Sequence, residues 1–192
     1  MRFAYADPPY PRQAKRLYGN HPDYAGEVDH RELIDRLVAE YPDGWALSTS
    51  AQALQEVLAL CPTPKYNREN RQQFGSIRVC AWVKPGLQPM TSPLMWGWEA
   101  VIVVGGRYRL DRKPRVKDWL VAPARGIELI GAKPRAFCHW LFDLLGAEPG
   151  DELDDLFPGS GAVGLAWRQW TGRPPCQGEQ AAFPLMQDSD GR

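Results

Sequence analysis

The 192-residue chain carries 23 basic and 23 acidic side chains, for a formal charge of zero. A chain of this length suits one globular core burying roughly 70 % of its unfolded surface. The content of 44 % hydrophobic and 24 % charged residues excludes a disordered, collagen-like or coiled-coil build. Neutrality argues against coating nucleic acid by bulk electrostatics, yet it allows a local basic cleft.

Four scattered cysteines (Cys61, Cys80, Cys138, Cys176) form no C-x-x-C pair and have no His at finger spacing. Neither a disulfide framework nor a metal site is signalled, and a reducing cytosol is expected. No apolar run approaches the roughly 20 residues that span a bilayer, so a soluble, cytoplasmic protein with no membrane partner is the expectation.

In chain order, Phe3, Ala4 and Tyr5 open a core strand that Pro8 and Pro9 stop. Residues 11–26 mix turn formers with Tyr18, His21 and Tyr24 and have no period, as expected of a long functional loop. Leu33, Ile34, Leu37, Val38 and Tyr41 keep helical spacing behind an Asp29/Glu32 capping box. Residues 45–50 read as a strand, and Ser50 can cap a helix bearing Leu54, Val57, Leu58 and Cys61. The runs 76–83 and 99–106 are β-rich, so the alternation predicts a mostly parallel α/β sheet. Lys133-Pro134 opens a helix with a stripe of Phe137, Trp140, Leu141, Leu144 and Leu145. A short strand, a glycine turn and a last helix follow, ending near Thr171.

Two motifs carry chemistry. Asp7-Pro8-Pro9-Tyr10 ends a strand, where open α/β sheets place their ligand sites. The prolines lack N–H groups and present carbonyl acceptors, Asp7 adds a carboxylate, and together they suit both hydrogens of a planar amino group. Tyr10 offers a ring for a base to stack on. The second motif is Asp155-Leu156-Phe157-Pro158-Gly159-Ser160-Gly161, a strand-to-helix turn whose glycines let backbone approach a ligand. It lacks the spacing of dinucleotide and phosphate loops. Each motif alone equally describes an ordinary turn.

Together the motifs resemble those of S-adenosylmethionine-dependent DNA amino-methyltransferases. The D/N/S-P-P-Y/F/W motif is matched by Asp7 to Tyr10, D-x-F-x-G-x-G by Asp155 to Gly161, and the family's helix-opening Lys-Pro by Lys133-Pro134. Their order resembles the permuted beta class. The resemblance implies an α/β fold: a Rossmann-like class I methyltransferase sheet with circularly permuted motif order, truncated at the C-terminus.

It further implies Asp7, Pro8, Pro9 and Tyr10 as catalytic residues, with no metal. S-adenosylmethionine would be held by Lys133, Asp155, Phe157, Gly159, Ser160 and Gly161, with Glu179 facing its ribose. The expected substrate is DNA, at the N6 amine of adenine because the first motif position is Asp. Cytosine N4, RNA adenine, or a non-catalytic methyltransferase-like nucleic-acid-binding subunit stay open as alternatives.

A single domain is expected, with a catalytic half at 1–106, a small basic insertion at 107–130, a cofactor half at 131–175 and a tail at 176–192. The insertion carries Arg107, Arg109, Arg112, Lys113, Arg115 and Lys117, which with Tyr18 and His21 are the expected nucleic-acid contacts. Lys65, Arg68, Arg71 and Arg78 would extend that patch. Residues 143–155 hold six acids and no base, so the neutral total hides segregated charge. Trp82, Trp140 and Trp167 are expected in the core, and Trp96 and Trp98 in a loop. A small recognition region predicts a homodimer.

Overall fold

In a computed structural model of the chain, residues 1–10, 28–62, 65–67, 72–74, 77–86, 93, 96–107, 115–124 and 133–173 are described. The run after Met1 is β1 (Arg2–Ala6), followed by α1 (His30–Glu40), β2 (Gly44–Ser50) and α2 (Leu54–Leu58). Two short strands, β3 (Lys65–Asn67) and β4 (Gln72–Phe74), pair only with each other. Then come β5 (Ile77–Val83), β6 (Trp98–Gly105), β7 (Trp119–Val121), α3 (Arg135–Leu145), β8 (Glu152–Asp155) and α4 (Ala162–Thr171). The main sheet has the order β7-β5-β6-β2-β1-β8.

Both faces of this sheet are covered, which explains why its central strands are continuous apolar runs without alternation. Phe3 and Tyr5 of β1, with Val101 and Val103 of β6, pack under α3 and α4 through Phe137, Leu141, Phe142 and Trp167. Ala4, Ala6, Ile102 and Val104 point the other way, to Leu33, Ile34 and Leu37 of α1 and Val57 of α2. The stripe foreseen on the Lys-Pro helix is buried along its whole length. Each such side chain contributes roughly 1.5–3 kcal/mol by leaving water.

Helix starts follow local chemistry. The Asp29 carboxylate accepts hydrogen bonds from the Arg31 and Glu32 amides at 2.9 and 3.1 Å, and Ser50 Oγ accepts one from the Ala53 amide at 3.1 Å. Pro134, with no N–H to lose, stands at the N-cap of α3. Among the described residues no helix is long and apolar enough to cross a membrane.

The sheet is mostly parallel, as the alternation predicts, with one reversal. Five of the six strands run in one direction, but β6 is antiparallel to both of its neighbours, β2 and β5. A doubly buried run has the same composition in either direction, so its apolar pattern carries no sign of reversal. Within the expected basic insertion, Trp119–Val121 adds β7 to the sheet edge, parallel to β5, so the segment is not wholly outside the sheet.

Candidate active site

Tyr5 of β1 lies opposite Asp155 of β8 on adjacent parallel strands. The strand-end motifs that follow these residues therefore open side by side at one end of the sheet. β1 stops at Ala6, and the turn leads through partly buried Asp7 to buried Pro8. Behind it the Tyr5 hydroxyl and Ser48 Oγ share a buried hydrogen bond of 2.8 Å, and the Tyr5 ring packs at a tilt against Phe137, centroids 5.9 Å apart. The turn is thereby anchored from below.

Asp7 does not stand alone. Lys133, buried at the start of α3, places Nζ 2.9 Å from Asp7 Oδ2 and donates to Glu99 Oε2 at 3.2 Å. The other oxygen of Glu99 accepts from Lys84 Nζ, so four charged side chains alternate as Asp7, Lys133, Glu99, Lys84. Both ammonium groups lie 5.3 Å from the centre of the Trp82 ring, whose Nε1 donates to the Ala122 carbonyl at 2.9 Å. The ring's negative face adds cation–π attraction to the two ion pairs.

Their proton affinities follow. Burial raises the Asp7 carboxyl above its ordinary range, tempered by Lys133. Burial also opposes charge on Glu99, but Lys133 and Lys84 together overcome it and hold that carboxyl below its ordinary value. For Lys133 burial disfavours the charged form, yet Asp7 and Glu99 outweigh it and the ammonium is held above its usual range.

The second motif forms the facing wall. The Phe157 amide bonds the Asp155 carboxylate, but Oδ1 of Asp155 is buried and finds no hydrogen-bond partner among the described residues. Burial is the main reason that this carboxyl is pushed up to about 6, with the negative charge of Asp7 adding to it. Gly159 and Gly161 have φ of +48° and +73°, a left-handed backbone that favours glycine. A Cβ at Gly161 would meet nothing within 4 Å, and one at Gly159 only the Phe157 carbonyl at 3.9 Å. Gly161 is also the N-cap of α4, and no side chain caps its first turn. An orphaned carboxylate oxygen, open space at two glycines and an uncapped helix start fit a ligand with both donor and acceptor groups, as an amino-acid moiety has.

Asp7 to Tyr10, Lys133, Asp155, Phe157, Gly159, Ser160 and Gly161 are thus supplied by neighbouring strand ends and by the start of α3. The described basic residues of the expected insertion are placed elsewhere. Arg107 follows β6 at the opposite end of the sheet, where Nη1 and Nη2 clamp Asp151 at 2.7 and 2.9 Å and Nη1 also donates to the Gly146 carbonyl. There both Nη atoms of Arg107 serve to close the fold, away from the strand-end motifs. Arg115 and Lys117 are exposed on the β7 edge, four strand spacings or roughly 19 Å from β1, and Lys117 stacks on Trp119 at 4.5 Å. Arg78 donates to the Leu144 carbonyl at the last turn of α3. Tyr18, His21, Arg109, Arg112, Lys113 and Glu179 lie outside the described residues, as do Arg68, Arg71, Cys176 and the side chain of Lys65.

Glu99 and Lys84, which complete the charged chain on Asp7 and Lys133, were not singled out by motif reading. Their signal was present: an acid opens the otherwise apolar run 99–106, and a base closes the run 76–83. Asp154, a polar residue within β8, accepts from Arg2 Nη2 at 2.6 Å and from the Tyr41 hydroxyl at 2.8 Å, so this edge-strand carboxylate is satisfied at the surface.

No protein-family model and no curated protein matches the sequence. Among solved structures, the chain is similar to the M1.HpyAVI-SAM complex, with 19 % identity and a TM-score of 0.56 over 90 % of this chain and 80 % of that one. It is also similar to M1.HpyAVI alone, with 15 % identity and a TM-score of 0.53 over 88 % and 76 %. This chain has the α/β, Rossmann-like methyltransferase fold implied by its motifs.

Proposed function

We propose that this chain transfers a methyl group from S-adenosylmethionine to the exocyclic N6 amine of adenine in DNA. The observation that carries this reading is the register of Tyr5 against Asp155, which brings the Asp7 turn and the Gly159–Gly161 loop to one end of the sheet. The fold shared with a structure solved as a SAM complex supports it. The choice of DNA and of adenine rests on the Asp-Pro-Pro-Tyr motif.

S-adenosylmethionine, when bound, supplies a methyl group on a positively charged sulfur, already a good electrophile. Asp155 would meet its amino group, and Phe157, Gly159, Ser160 and Gly161 would pack around its methionine part. Asp7 gives Oδ2 to Lys133. In this reading Oδ1 accepts one amine hydrogen and the Pro8 carbonyl the other, which leaves the nitrogen lone pair pointing at the methyl donor. Tyr10 stacks on the base once it has left its helix. Burial raises the proton affinity of Asp7, which suits Oδ1 to take the proton that nitrogen loses on methylation.

Tritium transfer from labelled cofactor to DNA tests this. Asp7→Ala is expected to lower it by roughly a thousandfold or more, as for loss of a group acting at the reacting centre. Nucleoside mass spectrometry is expected to show N6-methyladenine. Transfer that survives Asp7→Ala removes the catalytic assignment, and N4-methylcytosine replaces the base.

A further inference from the structure

We propose that Glu99 is a positioning residue, whose carboxylate keeps Lys133 charged and turned onto Asp7 while Lys84 holds Glu99 from the other side. The proposal deepens the methyltransfer reading and rests on it. Lys133 has side-chain exposure of only 8 %, and among the described residues Asp7 and Glu99 are its carboxylate partners, supplied by the β1 turn and by β6. Because β6 runs backward, its first residues arrive where the other strands end, so Glu99 stands across from Trp82 of β5 and Ser50 of β2.

The charges alternate and cancel, two carboxylates against two ammoniums. With Glu99 neutral, two ammoniums would share the Trp82 ring with Asp7 as the one remaining carboxylate partner. Lys133 would then release its proton more readily, and Asp7 Oδ2 would lose the donor that leaves Oδ1 for the amine. Charged or titratable groups facing this cluster come from every side: Tyr5, Asp7 and Tyr10 from β1 and its turn, Asp155 from β8, Lys84 from β5, Glu99 from β6 and Cys138 from α3. Of these, Glu99 is the one that ion-pairs with Lys133 without belonging to either ligand motif, and Lys84 reaches Lys133 through Glu99.

The test uses the full chain and two variants of opposite sign. In Glu99→Gln, the alkaline limb of kcat/KM, on which activity falls as Lys133 deprotonates, is expected to move acid by about one pH unit. In Lys84→Gln, which removes the competing ammonium, it moves alkaline. Glu99→Asp restores most of the wild-type profile. The Lys133 Cε resonance, followed by NMR across the same range without DNA or cofactor, is expected to shift its midpoint in the same two directions.

A merely structural role lowers the yield or melting temperature of the variants and leaves both midpoints in place. Unmoved midpoints, or midpoints that move the same way in both variants, overturn the proposal. So does a Glu99→Gln protein with wild-type kcat and an unchanged profile. If Glu99→Gln does not fold, the alkaline shift in Lys84→Gln decides alone. If the wild-type chain transfers no methyl to DNA, the methyltransfer reading falls, while the Lys133 midpoints still report whether Glu99 holds it.

Discussion

Asp151 at one end of the sheet and Asp7 and Asp155 at the other are treated in opposite ways. At the end where β1 begins, Asp151 is met by both Nη atoms of Arg107, by the Met1 α-amine at 2.7 Å and by the Glu148 amide at 2.7 Å. Hydrogen bonds from Arg107 dominate, and they hold this carboxyl well below the usual carboxylate range although burial pushes the other way. At the end where β1 and β8 finish, Asp7 and Asp155 are both raised, and one oxygen of Asp155 has no partner among the described residues. The first end lowers the free energy of the fold. The second keeps one carboxylate oxygen of Asp155 buried without a partner among the described residues, at a cost, and such places are where chemistry is expected.

The largest effect that would sharpen this contrast is on stability. Arg107→Ala leaves Asp151 buried with fewer partners and is expected to cost about 3 kcal/mol, read as a shift in the urea midpoint. Methyl transfer per folded molecule should be unchanged. A folded but inactive variant would break the division between the two ends.

At the other end the sign reverses. Asp155 has an ordinary value of 3.8 and a folded value of about 6, so the folded state binds a proton more tightly than the unfolded chain. Its ionisation therefore destabilises the fold progressively as pH rises from about 4 to 6, and the full cost is present at pH 7. Asp155→Asn is expected to gain on the order of 2 kcal/mol at pH 7 and to flatten the pH dependence in that window, while cofactor affinity measured by calorimetry falls. A variant that is less stable at pH 7 would show that Asp155 belongs with Asp151.

The smallest effect is on the loop. Gly161→Ala meets no neighbour and has only its left-handed backbone to strain, a cost of roughly 1 kcal/mol. Its methyl group would stand in the open space at the loop, so cofactor affinity should fall by more than stability does. Equal losses in calorimetry and thermal melting would argue that the space is not a ligand site.

Much of this division was legible from residue order. Proline pairs and glycine turns announce themselves because they restrict or free φ, so both strand-end motifs were visible, and the α3 stripe followed from helical period. Glu99 and Lys84 were not visible as a unit, since they are 15 residues apart and meet because β5 and β6 pair antiparallel. Arg107 sat in a run of bases that looked uniform, yet chain direction takes it to the far end of the sheet. Strand direction is a property of pairing, and the local pattern of a doubly buried strand does not encode it.

The reversal of β6 has a practical consequence for protein engineering. The connection from Val83 to Trp98 leaves and rejoins the sheet at the end where β1 and β8 finish, and the Lys84 amide closes its base by donating to the Gly97 carbonyl at 2.7 Å. A cassette grafted beyond that clasp leaves the paired residues of β5 and β6 unchanged. Retargeting by loop exchange is therefore best begun there.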